Sequence, residues 1–254
     1  MHAAAFRALG LPHAYEKLET SEADLPSRIE ALRDGTYAGL NVTLPHKSRV
    51  LDLVDAVDPG ARAIGAANTL VRTTHGILAM NTDAPALGEE LARLAPDLRH
   101  RSAIVLGTGG VARSAIVALA ALGARAIVVR GRREVPGLAA LAGAGVVRFE
   151  PLVAPASEEE DVGAIVQATT AGMTGSGDPG HDVAGAIAWH SVPADAAIYD
   201  VVYAPPSTPI LAQAAALGLA HACGIGMLVA QGALAFQAWL GVAPPRDVMR
   251  KAIG

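Results

Sequence analysis

The sequence predicts an α/β protein in which an N-terminal α/β domain precedes a Rossmann-like, doubly wound nucleotide-binding domain. Two observations carry this. Short apolar runs alternate along the chain with stretches of helical periodicity, the pattern of strands and helices succeeding one another. Residues 102–133, SAIVLGTGGVARSAIVALAALGARAIVVRGRR, form one complete strand, turn, helix and strand. At 254 residues, with 52% hydrophobic and only 4% aromatic residues, the chain suits one large domain or two modest ones with Ala/Val/Leu-rich cores.

In chain order, MHAAAFRALGL is amphipathic helix from its first residue, with Met1, Ala5 and Leu9 on one face. Alternation over 14–19 predicts a short strand, and 25–33 a helix capped by Asp24. A strand over 37–44 runs into Pro45-His46-Lys47. Asp58 and Pro59 have the N-cap and N1 character of a short helix reaching residue 64. Residues 67–72 and 77–80 flank the turn Thr74-His75-Gly76 and predict a hairpin. A helix over 84–94 leads to Pro96-Asp97, the expected domain boundary.

Within the central unit, a buried strand over 103–106 ends in Gly107-Thr108-Gly109-Gly110-Val111-Ala112, which has G-x-G-x-x-[GA] spacing. A helix over 111–122 follows, stopped by Gly123, and then a strand over 126–129. Gly107 permits the tight turn, Gly109 lets backbone N–H groups approach a pyrophosphate, and Ala112 lets helix pack closely on strand. Glycines at strand ends are usually only turns; the strand before and the helix after favour nucleotide binding. Arg130-Gly131-Arg132-Arg133 then stands where an NAD site would place an acid for the ribose 2′-OH. Clustered guanidiniums suit a 2′-phosphate, hence NADP, although a solvated basic turn balanced by Glu134 is the plain alternative.

Beyond this unit, 138–141 predicts a helix, 146–149 a strand and 151–161 a surface loop. Residues 165–168 and 197–202 predict buried strands with irregular chain over 173–180 between them, and helices over 227–240 and 246–252 close the sequence.

Composition narrows the function classes. A formal net charge of -4 argues against nucleic acid as a partner. Cys223, the single cysteine, allows no internal disulfide or zinc cluster, which suits a reducing cytoplasm. No apolar run reaches the ~18 residues of a spanning helix and no basic flank precedes an apolar core, so a soluble, unexported protein without membrane partners is expected. The scattered histidines show no ligand spacing, and no metal is expected.

The polar strings at strand ends carry the chemistry. Asn41-Val42-Thr43-Leu44-Pro45-His46-Lys47 ends a strand in a turn bearing a hydroxyl, an imidazole and an ammonium; Ala67-Asn68-Thr69 and Asn81-Thr82-Asp83 offer further polar groups. Singly, these are solvated charges and turn formers. Taken in order, NVTLPHK, GAANTL, NTD, GTGGVARS, YDVVYAPPSTPIL and GIGMLVAQGALAFQAW closely resemble the shikimate dehydrogenase family, over nearly the whole chain.

The resemblance implies NADPH-dependent, reversible reduction of 3-dehydroshikimate to shikimate, a step of chorismate and aromatic amino acid biosynthesis. It implies a substrate domain over 1–97, an NADP-binding Rossmann domain over 98–224, and C-terminal helices over 225–254 returning to the substrate domain. Residue by residue, Lys47 matches the catalytic lysine and Asp83 its carboxylate partner. Thr43, Asn68, Asp83, Tyr203 and Gln231 match substrate contacts. Gly107, Thr108, Gly109, Gly110, Val111, Arg130, Arg132, Arg133, Thr169, Val201, Gly224 and Met227 match cofactor contacts. Hydride delivered to a ketone leaves an alkoxide that needs a proton, and a lysine directed by an aspartate supplies one. The partners implied are small molecules, on a monomer or homodimer.

The departures set the alternatives. Family members open with a strand and a loop bearing Ser-x-Ser-Pro, whose hydroxyls hold the substrate carboxylate, and Met1 to Phe6 resembles the helix that follows. The expectation is a start assigned late, against a trimmed chain or a diverged protein. Gln167 to Met173 replaces an Asn-Ala-Thr-Pro-like string, and Gly131 stands where the cofactor turn often has Arg. The alternative functions are a quinate/shikimate-type paralogue and an NADP-binding protein with impaired turnover.

Overall fold

The computed structural model describes residues 1–143, 146–153 and 161–253. The chain divides into two compact units, Met1–Ala86 with Val229–Gly254, and Leu87–Leu228.

The first unit begins with α1 (His2–Ala8) and α2 (Leu25–Arg33), the latter with the bounds that periodicity predicts. Asp24 occupies the N-cap position of α2 but does not cap it: its carboxylate accepts the Ser21 hydroxyl at 2.6 Å instead. The strand expected over 14–19 does not form. Alternation makes a strand only where a neighbour offers a ladder, and the sheet of this unit holds β1 (Gly39–Asn41), β2 (Ala56–Val57), β3 (Thr69–Thr73) and β4 (Gly76–Met80) in the order β1-β3-β4-β2. β3 and β4 are the expected hairpin, in register from Thr69 opposite Met80 to Thr73 opposite Gly76.

Helix α3 (Pro59–Ile64) is capped as predicted: Asp58 Oδ1 accepts from the N–H groups of Gly60 at 2.7 Å and Ala61 at 3.1 Å. The core of the unit gathers Ile29 and Leu32 of α2, Ile77 of β4, Leu70 of β3 and Val50. Helix α4 (Asp83–Leu94) leaves the hairpin.

The second unit is a parallel sheet. Its strands are β5 (Ser102–Leu106), β6 (Ala126–Gly131), β7 (Val147–Pro151), β8 (Val162–Gln167), β9 (Ala197–Asp200) and β10 (Ala220–Cys223). From β7 to β10 the order is third, second, first, fourth, fifth and sixth strand, every pair parallel. That is the doubly wound order, with its switch point between β5 and β8. Helix α5 (Gly110–Ala121) follows the glycine turn, and every residue of β8 is buried, as a central parallel strand requires. Ile104, Ile165 and Ile198, from three adjacent strands, are fully buried together.

Some elements differ from expectation. Residues 138–141 tighten into a 3-10 turn at Ala139–Leu141. The short helix α6 (His181–Gly185), helix α7 (Pro209–Ala216) and strand β10 lie outside the expected elements; β10 exists because β9 offers a parallel ladder. The loop expected over 151–161 falls largely outside the described residues.

Helices α8 (Ile225–Leu240) and α9 (Arg246–Lys251) close the chain, and Phe236 and Met249 pack against Ala5 and Phe6 of α1 within the first unit. Among the described residues, no helix is long and apolar enough to cross a membrane.

Candidate active site

In the first unit, four chain segments bring polar side chains together. Lys47 Nζ donates to Asp83 Oδ2 at 2.7 Å, with the side chains 16% and 8% exposed. Asn68 Nδ2 donates to the other oxygen, Asp83 Oδ1, at 2.8 Å and to Thr82 Oγ1 at 2.9 Å, and lies 3.4 Å from Gln231 Oε1. A desolvated ion pair is stable only when its remaining polar atoms are also satisfied, and both carboxylate oxygens here are. The ammonium is thereby held in one direction.

Local chemistry explains how the cluster forms. Asn81 Oδ1 accepts from the N–H groups of Asp83 and Ala84, both at 3.1 Å, so it caps α4 and places Asp83 in the first turn. Asp58 Oδ2 accepts the Asn81 N–H at 3.0 Å, so one carboxylate caps α3 and steadies the cap of α4. On the other side, Ala67 N–H donates to Lys47 O at 2.8 Å, fixing the turn that bears the lysine beside Asn68. Asn81, Thr82 and Asp58 were not among the candidate site residues; their signal is the Asx-turn spacing before each helix.

Thr43 is exposed. It lines a cavity of about 830 Å3 in the same unit, together with Tyr15, Asn41, His46 and Trp239.

In the second unit, the candidate cofactor residues lie at the C-terminal ends of the strands. Gly107 ends β5 with φ of 117°, and a Cβ there would meet Thr169 Cγ2 at 2.9 Å and Ala168 O at 3.1 Å; only glycine fits. The space beside Gly109 and Gly110 is open for 4 Å around the position a Cβ would take, and the N-terminus of α5 has no side-chain cap. An open glycine turn below the first amides of a 12-residue helix is the donor set a pyrophosphate needs, so these residues fit a dinucleotide.

Thr169 sits on the turn after β8, its N–H on Gln167 Oε1 and its Oγ1 accepting from Ala171 N–H at 3.0 Å. Val201 and Gly224 are in contact: a Cβ at Gly224 would fall 2.1 Å from Val201 O. Met227 N–H donates to the buried Tyr199 hydroxyl at 3.1 Å; burial, foremost, raises the pKa of that phenol. Tyr203 is 45% exposed.

The structure separates the arginines that sequence grouped together. Arg130 is 2% exposed, its Nε donating to Glu150 at 3.0 Å and its Nη1 to Ala186 O at 2.9 Å, whereas Arg132 and Arg133 are exposed beyond the strand end. Arg130 is still within β6, where the pleat turns its side chain inward.

Known proteins resemble this chain over nearly its whole length. Residues 1–70 match the family described as Shikimate dehydrogenase substrate binding domain, and residues 224–253 the Shikimate 5'-dehydrogenase C-terminal domain. A shikimate dehydrogenase (NADP(+)) of Citrifermentans bemidjiense is 38% identical over 263 residues, covering 100% of this chain and 88% of the relative. The crystal structure of shikimate 5-dehydrogenase from Thermus thermophilus in complex with NADP(H) and shikimate superposes with a TM-score of 0.84 at 35% identity, over 99% of this chain and 91% of that one. Quinate dehydrogenase from Corynebacterium glutamicum in complex with NAD gives 0.86 at 27% identity, over 99% and 92%.

A chain with one doubly wound unit bearing a glycine turn and one unit holding a lysine–aspartate pair is a dinucleotide-linked oxidoreductase. The chain belongs to the shikimate dehydrogenase family.

Proposed function

We propose that this protein catalyses the reversible, NADPH-dependent reduction of 3-dehydroshikimate to shikimate. Family membership and the Lys47–Asp83 pair support the assignment most directly. Reduction of a ketone generates an alkoxide, and Lys47 Nζ is the group that gives it a proton and takes one back in the oxidation. Asp83 directs the ammonium, and Asn68, by occupying the second carboxylate oxygen, keeps Asp83 in place.

Thr43, Asn68, Tyr203 and Gln231 contribute the polar contacts that a polyhydroxylated ring requires, since a hydroxyl left unmatched in a dry site is strongly selected against. Asn68 Nδ2 already serves Asp83 and Thr82, so it meets substrate only by exchanging one of those bonds.

NADPH supplies the hydride when bound. The turn from Gly107 to Val111 holds its pyrophosphate, and Thr169, Val201, Gly224 and Met227 line the remainder of its site. Arg132 and Arg133 hold the 2′-phosphate, with Arg130 acting from beneath as a buried prop. The residues over 1–97 and 225–254 serve as the substrate domain with its returning helices, and those over 98–224 as the cofactor domain. A cytoplasmic setting suits the lone Cys223, and the partners are these small molecules, on a monomer or homodimer.

Mixing the protein with shikimate and NADP+ should yield NADPH. Oxidation of quinate with none of shikimate would overturn the substrate assignment.

A further inference from the structure

Asp200, at the end of β9, is fully buried, and the hydrogen bonds that reach its carboxylate come from neutral groups. Oδ1 accepts the Val202 N–H at 2.9 Å, and Oδ2 accepts the Thr208 hydroxyl at 2.5 Å. Thr208 is itself 3% exposed and stands at the N-cap of α7, where its hydroxyl makes no capping bond and donates to Asp200 instead. An N-cap hydroxyl ordinarily stabilises its own helix, so a different use of it here points to a requirement elsewhere.

What the carboxylate joins is the two ends of one loop. The segment from Val202 to Thr208 leaves β9 and returns to start α7, with Tyr203 exposed at its near end. Val201, immediately before it, is held by the bond of its N–H to Gln167 O at 3.0 Å, and Gly224 N–H donates to Val202 O at 3.0 Å. Further along, Thr174 N–H donates to Ala204 O at 2.8 Å. Backbone bonds hold Val202 and Ala204 to neighbouring segments, and the Asp200 side chain ties the start of the loop to its end. Burial of this carboxyl raises its pKa to about 6, so a buried charge is retained where a neutral side chain of the same shape would be easier to keep.

We infer that Asp200 is a positioning residue: through Val202 and Thr208 it sets the loop that carries Val201 and Tyr203, the residues assigned above to cofactor and substrate. The inference rests on that functional assignment for its effect on turnover, and on geometry alone for its effect on the loop.

Thr208→Val and Thr208→Ser, beside the wild type, test both levels. Losing a hydrogen bond to a charged acceptor corresponds to roughly a tenfold effect or more. Hydrogen exchange of the Val202, Tyr203, Ala204 and Ser207 amides should therefore speed up by roughly tenfold in Thr208→Val, with β5 and β8 as protected as before, and return in Thr208→Ser. In steady-state kinetics, Thr208→Val should lose roughly tenfold in kcat/KM for shikimate, and the NADPH Kd, to which Val201 of this loop contributes beside the glycine turn and arginines, should rise by less than that; Thr208→Ser should restore both. Unchanged loop exchange in Thr208→Val would overturn the clamp whether or not shikimate is the substrate. Faster exchange with wild-type kcat and KM would overturn the positioning role. A wild type inactive toward shikimate would refute the functional assignment and leave the exchange comparison to decide the clamp.

Discussion

Asp83 receives Lys47 on one carboxylate oxygen at 2.7 Å and Asn68 on the other at 2.8 Å, so the ammonium opposite it has a single supported direction. That arrangement makes Lys47 separable from binding. Lys47→Ala should lower kcat by ~10²-fold or more, the usual scale of acid–base catalysis, with NADPH affinity unchanged. Steady-state rates beside NADPH titration check this; a variant that loses only in KM for shikimate would recast Lys47 as a binding group.

The exposed and buried arginines should part company. Arg132→Ala and Arg133→Ala should weaken NADPH binding by roughly tenfold each and leave NADH binding unaltered, because a charge-assisted bond to phosphate is lost. Arg130→Ala should instead lower stability, by ~1–3 kcal/mol, since Ala186 O loses its buried donor and Glu150 one of its two cations. Calorimetric titration with both cofactors and thermal melts of the three variants distinguish these effects. Equal affinity of the wild type for NADPH and NADH would remove the 2′-phosphate role.

His2 provides an acid-sensitive point in the first unit. It is 3% exposed among Tyr15, Phe236 and Trp239, and neither ring nitrogen has a hydrogen-bond partner among the described residues. Burial, and then the nearby amino terminus, push its pKa down to about 4. The unfolded chain thus binds a proton that the folded one refuses. The His2 contribution is complete above pH 6.5 and is lost on the order of 3 kcal/mol as pH falls toward 4. His2→Phe keeps an aromatic ring there without the proton, so its stability relative to the wild type should rise across that interval. Denaturant melts of both proteins at several pH values measure the difference; parallel curves would contradict it.

Asp200 should behave in the opposite sense. Its folded pKa is raised to about 6 from 3.8, so its favourable share is present below 3.8 and falls, on the order of 3 kcal/mol, as pH rises through 6. Asp200→Asn should therefore gain stability against the wild type between pH 4 and pH 7. The same melts detect it, and a gain in the reverse direction would show that the carboxylate is better compensated than its neutral neighbours suggest.

Elements whose causes are local could be foreseen. The glycine turn with α5, the Asp58 cap with Pro59, helix α2 to the residue, and the β3–β4 hairpin all follow from patterns within about a dozen residues, where periodicity, capping and turn chemistry agree. The doubly wound class followed as well, because a strand–turn–helix–strand unit has few ways to bury its faces.

What depended on distant partners could not. Residues 14–19 alternate like a strand but find no ladder, while β2 and β10 lack a strand pattern and form because β4 and β9 supply one. Asp24 looks like a cap and bonds Ser21; Thr208 stands at a cap and bonds Asp200. Arg130, Arg132 and Arg133 are alike in sequence, and the last pleat of β6 alone sends one of them inward to Glu150. The patterns along the chain fixed which short segments could be helix, turn or strand. Which hydrogen bonds those segments made was settled by packing, because a side chain with several possible partners takes the one that tertiary contact brings within reach.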